Sequence, residues 1–217
     1  MLGKAYLFQG KYGDAAGILD EVIESGKYAL YTGDYDKLLH VAANGCCESM
    51  LEVQKRNDSE QAWNQMTMTF IMQGWRTEKL TLSSEASSYI ATGTYGFMNP
   101  TKDLYEAFVA MEGENGYRLN SSIRTAAQLE NLGISLQAGA NLVGHEGYFM
   151  WKNRALKEDC VYDASYFQAL QYINLRVMRY AEVLLNYAEA ACGAGEMGVA
   201  VEQFEEDTCS CRIYICK

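Results

Sequence analysis

A chain of 217 residues that is 49% hydrophobic and 21% charged carries enough apolar side chain for a packed core, which argues against a disordered protein. Its 28 acidic against 18 basic residues give a formal net charge of −10 without any acidic block, a general solubilising field and a poor match for nucleic acid, whose phosphates need clustered Lys and Arg. A single proline, Pro100, among many Ala, Leu, Met and Glu residues predicts a mainly α fold rather than a sandwich of Pro-marked turns.

In chain order, the first predicted element is a helix pair. Leu2-Gly3, Tyr6, Gly10, Tyr12, Ala15, Leu19 and Val22 fall at the spacings of a tetratricopeptide unit, with the turn at Gly10-Lys11-Tyr12. Glu48 to Gln54 alternates as a short strand should. From Asn57 to Gly96 the chain is rich in Ser, Thr, Gln, Met and Gly, and reads as irregular loop with short helical turns. Order returns after Pro100, where Thr101 can cap a helix, Asp103 suits its positive end, and Leu104, Ala107, Phe108 and Met111 share one face. Residues 113–172 look loop-rich, punctuated by Gly133, Gly139, Gly144 and Gly147. A helix is predicted from near Leu175 to Ala191. Leu184, Tyr187-Ala188, Ala191, Gly195, Met197, Ala200 and Phe204 then repeat the spacings of the opening pair. The helix pairs, near 1–26 and 175–204, have their turn glycines 185 residues apart (195 minus 10), so they do not form a tandem array with a period of about 34 residues.

The chemistry-bearing residues select no catalytic motif. His40 and His145 are the only histidines, and neither stands in H-E-x-x-H or beside a nucleophile motif. Many carboxylates are present, but no local pattern selects the pair that glycoside hydrolysis needs. Gly93-Thr94-Tyr95-Gly96 lacks the Lys-Ser or Lys-Thr of a phosphate loop. Seven cysteines show no even disulfide framework, and Cys209, Cys211 and Cys216 lack a nearby fourth ligand, so neither a metal nor any other cofactor is expected.

Several segments together resemble the SusD/RagB family. Val177 to Ala190 (VMRYAEVLLNYAEA) is similar to its IRYADVLLMYAEA helix, Asn99 to Phe108 (NPTKDLYEAF) to its PTxDLYDAF segment, and Glu48 to Gln54 (ESMLEVQ) to its ESIFEVQ strand. Met150-Trp151-Lys152 resembles its KW element, and Ala5 to Tyr12 (AYLFQGKY) its first central repeat. The resemblance covers residues 1–204 as one partial domain, an internal or C-terminal fragment. It implies a SusD-like fold with tetratricopeptide-like helix pairs and a long, loop-rich insertion with short strands. It further implies an outer-membrane lipoprotein, anchored by an upstream lipid, that binds oligosaccharide or polysaccharide, starch in the founding case. The expected partner is a SusC-like TonB-dependent transporter. Glu205 to Lys217 departs from the family pattern and reads as an aberrant, frameshifted tail.

Sugars offer apolar C–H faces ringed by hydroxyls, so exposed aromatic rings beside polar donors are their natural receptor. Trp63 beside Asn64, Trp75 next to Arg76, Tyr89 after two serines, and Tyr95 in its glycine-bounded turn are the candidate ligand residues. The competing expectation for each ring is that it plugs a loop onto the core. Trp151, Tyr180 and Tyr187 lie in scaffold-like sequence and are expected to pack. The leading reading is non-catalytic glycan binding; the alternatives are a tetratricopeptide-type protein adaptor and, behind it, a glycoside hydrolase.

Overall fold

The computed structural model describes residues 1–142, 144–161 and 169–210, with side chains described as far as residue 205. Its helices and strands follow in chain order. The first are α1 (Leu2–Phe8), α2 (Tyr12–Glu24), β1 (Ser49–Val53), α3 (Ala62–Gln65), α4 (Met68–Gln73), β2 (Leu80–Leu82) and α5 (Ser84–Tyr89). Next come α6 (Lys102–Glu112), α7 (Tyr117–Ser122), β3 (Ile123–Thr125), α8 (Ala126–Glu130), β4 (Ile134–Leu136) and β5 (Tyr148–Met150). The last are β6 (Leu175–Arg179), α9 (Tyr180–Ala194) and α10 (Met197–Ser210). Among the described residues no helix is long and apolar enough to cross a membrane.

The chain divides into two compact units, the first comprising Met1–Gly33, Gly45–Val53 and the chain from Arg176 onward, the second Asp34–Asn44 and Gln54–Leu175. In the first unit α1 packs on α2, α2 on α9, and α9 on α10. Close approach of α1 and α2 depends on Gly3, where an added Cβ would lie 2.6 Å from the Leu19 side chain. Leu7, Ala15, Leu19, Tyr180, Val183 and Leu184 form the core of this unit, with Tyr187 packed against it, as expected for the scaffold aromatics. The helix α10 runs on to Ser210, so the start of the tail that departs from the family pattern is helical. Residues 211–217 and the side chain of Cys209 lie outside the described residues, and with them the cysteine triplet.

The final helix begins later than its periodicity suggests. Leu175–Arg179 is a strand paired with β1 rather than the first turn of α9. The reason is tertiary: Glu52 on β1 and Glu48 just before it are reached as ion pairs by Arg176 and Arg179 on β6, Arg176 at 3.4 Å. Glu48 is buried and also accepts from the Tyr31 backbone N–H at 3.0 Å. A cross-strand pairing of this kind outweighs a weak local helix preference.

The second unit is more ordered than its glycine-rich sequence suggests. Residues 113–172, expected as loop, contain α7, α8 and three strands. Strand β2 pairs antiparallel with β4 in the register Leu80 to Leu136, and β3 pairs antiparallel with β5 in the register Ile123 to Met150. Between them lies a core of Trp75, Leu80, Ala86, Ile90, Leu129, Ile134, Phe149, Trp151 and Leu156. Helix α6 is capped as predicted, Leu104 N–H donating to Thr101 Oγ1 at 3.3 Å, yet its apolar face is not buried: Leu104 and Met111 are exposed. His40 is fully buried, its Nδ1 2.5 Å from Asp159 Oδ2, while the Val41 N–H donates to Asp159 Oδ1 at 2.8 Å. That arrangement seals the His40 ring inside the second unit.

Candidate ligand-binding face

The structure separates the sequence-predicted ligand residues into two groups. Trp75 belongs to the core. Only 3% of it is exposed, its indole N–H donates to the Met150 carbonyl at 2.9 Å, and its ring packs edge-on to Phe149 at 6.0 Å and against Trp151 at 5.9 Å. The ring therefore has no free face for a sugar, which corrects the expectation for this residue. Tyr89, at the end of α5, is half-buried against the same cluster. Arg76 is partly exposed, with its Nε 2.7 Å from Glu78 Oε1.

Trp63 and Tyr95 face solvent, with 49% and 47% of their surface exposed. Trp63 lies on α3, whose neighbouring Ala62 packs with Ile71, Val161 and Leu170 in a small cluster. Ile71 also anchors Tyr95: the Tyr95 N–H donates to the Ile71 carbonyl at 2.9 Å, and the Phe97 N–H to the Met72 carbonyl at 2.8 Å. Those two bonds hold the segment extended, and its side chains alternate. Thr94 turns inward and is buried, its Oγ1 donating to the Trp75 carbonyl, while Tyr95 and Phe97 turn outward with ring centroids 5.9 Å apart. Gly96 lies between them because an added Cβ would meet the Arg76 backbone nitrogen at 2.7 Å and its φ is +68°.

Phe97, 43% exposed, is absent from the sequence-predicted set, although the Tyr95-Gly96-Phe97 alternation carries its signal. Met98 follows at φ +59°, a left-handed conformation that costs a non-glycine residue about 1 kcal/mol or more. It leads from the ring pair to a cleft of about 380 Å3, walled by Met98, Pro100, Leu104, Phe108, Ile123 and Met150, with Asn99, Thr101, Lys152 and Asn153 as polar members. The unburied face of α6 thus lines an opening. Cavities of this size lie at the small end of the range for small-molecule sites, about 300–1,000 Å3. Among the described residues no group of three His, Cys, Asp or Glu side chains is placed to hold a metal ion.

Helix pairs in one unit, and in the other short sheets with an outward ring pair beside a cleft, define a mainly α protein with a loop-borne candidate binding face. The family model for the SusD family matches residues 47–206, and the chain belongs to that family. Among solved structures, it is similar to Surface glycan-binding protein A from Bacteroides thetaiotaomicron, with a TM-score of 0.75 at 20% identity, covering 99% of this chain and 46% of that one. The structure of that protein in complex with laminarihexaose matches with a TM-score of 0.74 at 19% identity, over 99% of this chain and 46% of the other. A laminarin-binding SusD-like protein matches at 27% identity with a TM-score of 0.70, over 95% of this chain and 45% of that one. The chain therefore spans less than half the length of these relatives. No curated protein sequence matches it.

Proposed function

We propose that residues 1–204 form a SusD-type glycan-binding domain that captures oligosaccharide or polysaccharide without cleaving it, and that Tyr95 and Phe97 are its central contact. The observation that carries this reading is the outward ring pair, fixed through two backbone hydrogen bonds to Ile71 and Met72. Trp63 is a third ring with exposed surface. Family membership and the laminarin- and laminarihexaose-binding relatives support a glycan as the ligand. Binding is favoured over hydrolysis because the cleft beside the rings has no Asp or Glu on its wall, whereas glycosidases flank the scissile bond with two carboxyl groups.

Two rings that remove on the order of 150 Å2 of apolar surface from water supply about 4 kcal/mol at roughly 25 cal/mol per Å2, before ordering costs. That corresponds to about millimolar affinity for one contact. Such weak binding becomes useful when a polymer presents many units, or when a transporter takes the ligand onward. The complete protein would work at the outer-membrane surface, lipid-anchored, and hand its ligand to a SusC-like TonB-dependent transporter. Affinity electrophoresis against a polysaccharide panel tests the reading. Retardation by at least one glycan, abolished in Tyr95→Ala/Phe97→Ala, is expected; migration unaffected by every glycan would overturn it.

A further inference from the structure

The cleft beside Met98 has a charge pattern unlike that of the chain as a whole. In a protein of formal net charge −10, the only charged residue on its wall is Lys152. Three guanidinium groups stand behind that lysine. Arg118 lies over the Tyr35 ring at 5.8 Å, on which Lys152 Nζ also sits at 4.1 Å, and Arg124 and Arg154 lie over the Trp151 ring at 5.0 and 4.0 Å. Of these four cations, only Arg154 makes an ion pair among the described residues, with Asp36 at 3.1 Å. Asp36 also acts on Arg124, whereas Lys152 and Arg118 make no ion pair among the described residues, although acidic side chains outnumber basic ones by 28 to 18 in the chain.

Two details make the cluster a receptor rather than a crowded surface. Lys152 Nζ donates to the Tyr35 hydroxyl at 2.7 Å, which fixes the ammonium while leaving N–H donors unused. Asn153, also on the cleft wall, donates through its amide nitrogen to Gln73 at 2.5 Å, but its Oδ1 is buried without a partner. An unpaired buried acceptor is costly, and a turn of the Asn153 amide toward the cleft would let a ligand hydroxyl satisfy it. A neutral sugar would leave the Lys152 ammonium without a counter-charge in the cleft. Low-dielectric walls concentrate the field of such a cluster at the opening.

We propose that this cleft is a subsite for an acidic sugar unit, a uronic acid residue, whose ring lies against Met98, Pro100 and Leu104. Its carboxylate pairs with Lys152, and one of its hydroxyls donates to Asn153 Oδ1 once that amide turns toward the cleft. The inference rests on the glycan-binding reading above and narrows it to acidic or mixed polysaccharides.

Calorimetry of the full chain with oligogalacturonate and with a neutral oligosaccharide of equal length tests it. The uronate is expected to bind about tenfold more tightly at low salt, with the advantage shrinking as salt screens the pairing. The advantage is expected to vanish in Lys152→Met, which keeps the aliphatic stem, and in Leu104→Trp, which fills the cleft from an exposed helix position. Equal affinity for the two sugars in the unaltered chain would overturn the subsite while leaving neutral glycan binding intact. A uronate preference that survives both substitutions would equally overturn it. Binding of neither sugar, together with no retardation by any polysaccharide, would remove both readings.

Discussion

Trp75 and Tyr95 stand 20 positions apart (95 minus 75) in one polar, glycine-punctuated stretch, yet one ring is sealed in the core and the other faces solvent. The difference comes from what each segment's backbone pairs with. Trp75 precedes β2, and the β2–β4 and β3–β5 pairs close around its ring, with the Met150 carbonyl accepting its indole N–H. Tyr95 and Phe97 instead pair their backbone with the end of α4, so that alternation turns Thr94 inward and the two rings outward. An aromatic residue in a loop thus faces solvent or joins the core according to the partner of its main chain, and composition does not distinguish the cases.

The largest expected effect tests the inward side. Trp75→Ala should cost about 3–5 kcal/mol of stability, read as a large drop in the thermal or urea midpoint, because it removes a buried ring from a cluster that cannot collapse around the gap. Tyr95→Ala should change stability by no more than about 0.5 kcal/mol, since it truncates an exposed side chain. A matching loss in both variants would break the contrast between the two rings.

The same inside-outside division appears in the thiols. Cys160 is buried, and burial, aided by the neighbouring Asp159 charge, pushes its pKa up to about 12. Cys47 and Cys192 are exposed. Alkylation of the native protein at mildly alkaline pH, followed by peptide mass mapping, should mark Cys47 and Cys192 and leave Cys160 unmodified until denaturant is added.

The smallest effect concerns His145, whose pKa is lowered from the ordinary 6.5 by burial. Its ring lies edge-on to Phe149 at 4.3 Å, and its Nδ1 accepts from the Gly147 N–H at 3.1 Å, so the packed form is the neutral one. Protonation then favours the unfolded chain. The contribution of His145 is fully present above pH 6.5 and is lost as pH falls below that value toward the depressed folded-state pKa. Urea titrations across that window should show a slightly shallower loss of stability on acidification in His145→Gln than in the unaltered chain.

The two helix pairs were legible because apolar periodicity and small residues at the crossings encode them locally: Gly3 and Leu19 meet across α1 and α2 as their spacing suggests. The start of α9 was not legible, because Leu175–Arg179 suits either a helix or a strand, and its partner β1 lies more than a hundred positions upstream. The same applies to the short sheets of the second unit, whose pairing joins β2 to β4 and β3 to β5 across intervening helices. For the candidate site, Trp63 and Tyr95 were identified on the side they occupy, whereas Trp75 was assigned outward because its burying partners Phe149 and Trp151 lie more than seventy positions away. Phe97 was missed although it shares the outward parity of Tyr95. The cations around Tyr35 and Trp151 come from two stretches, Arg118 with Arg124 and Lys152 with Arg154, about thirty positions apart, and Tyr35 lies far upstream of both.

The most direct test is to watch the rings themselves while ligand is added. In a spectrum of the protein with isotope-labelled Tyr and Phe, titration with a glycan that retards it in the gel should shift the Tyr95 and Phe97 ring signals together along one saturating curve. Saturable binding that leaves both ring signals unmoved would contradict the account.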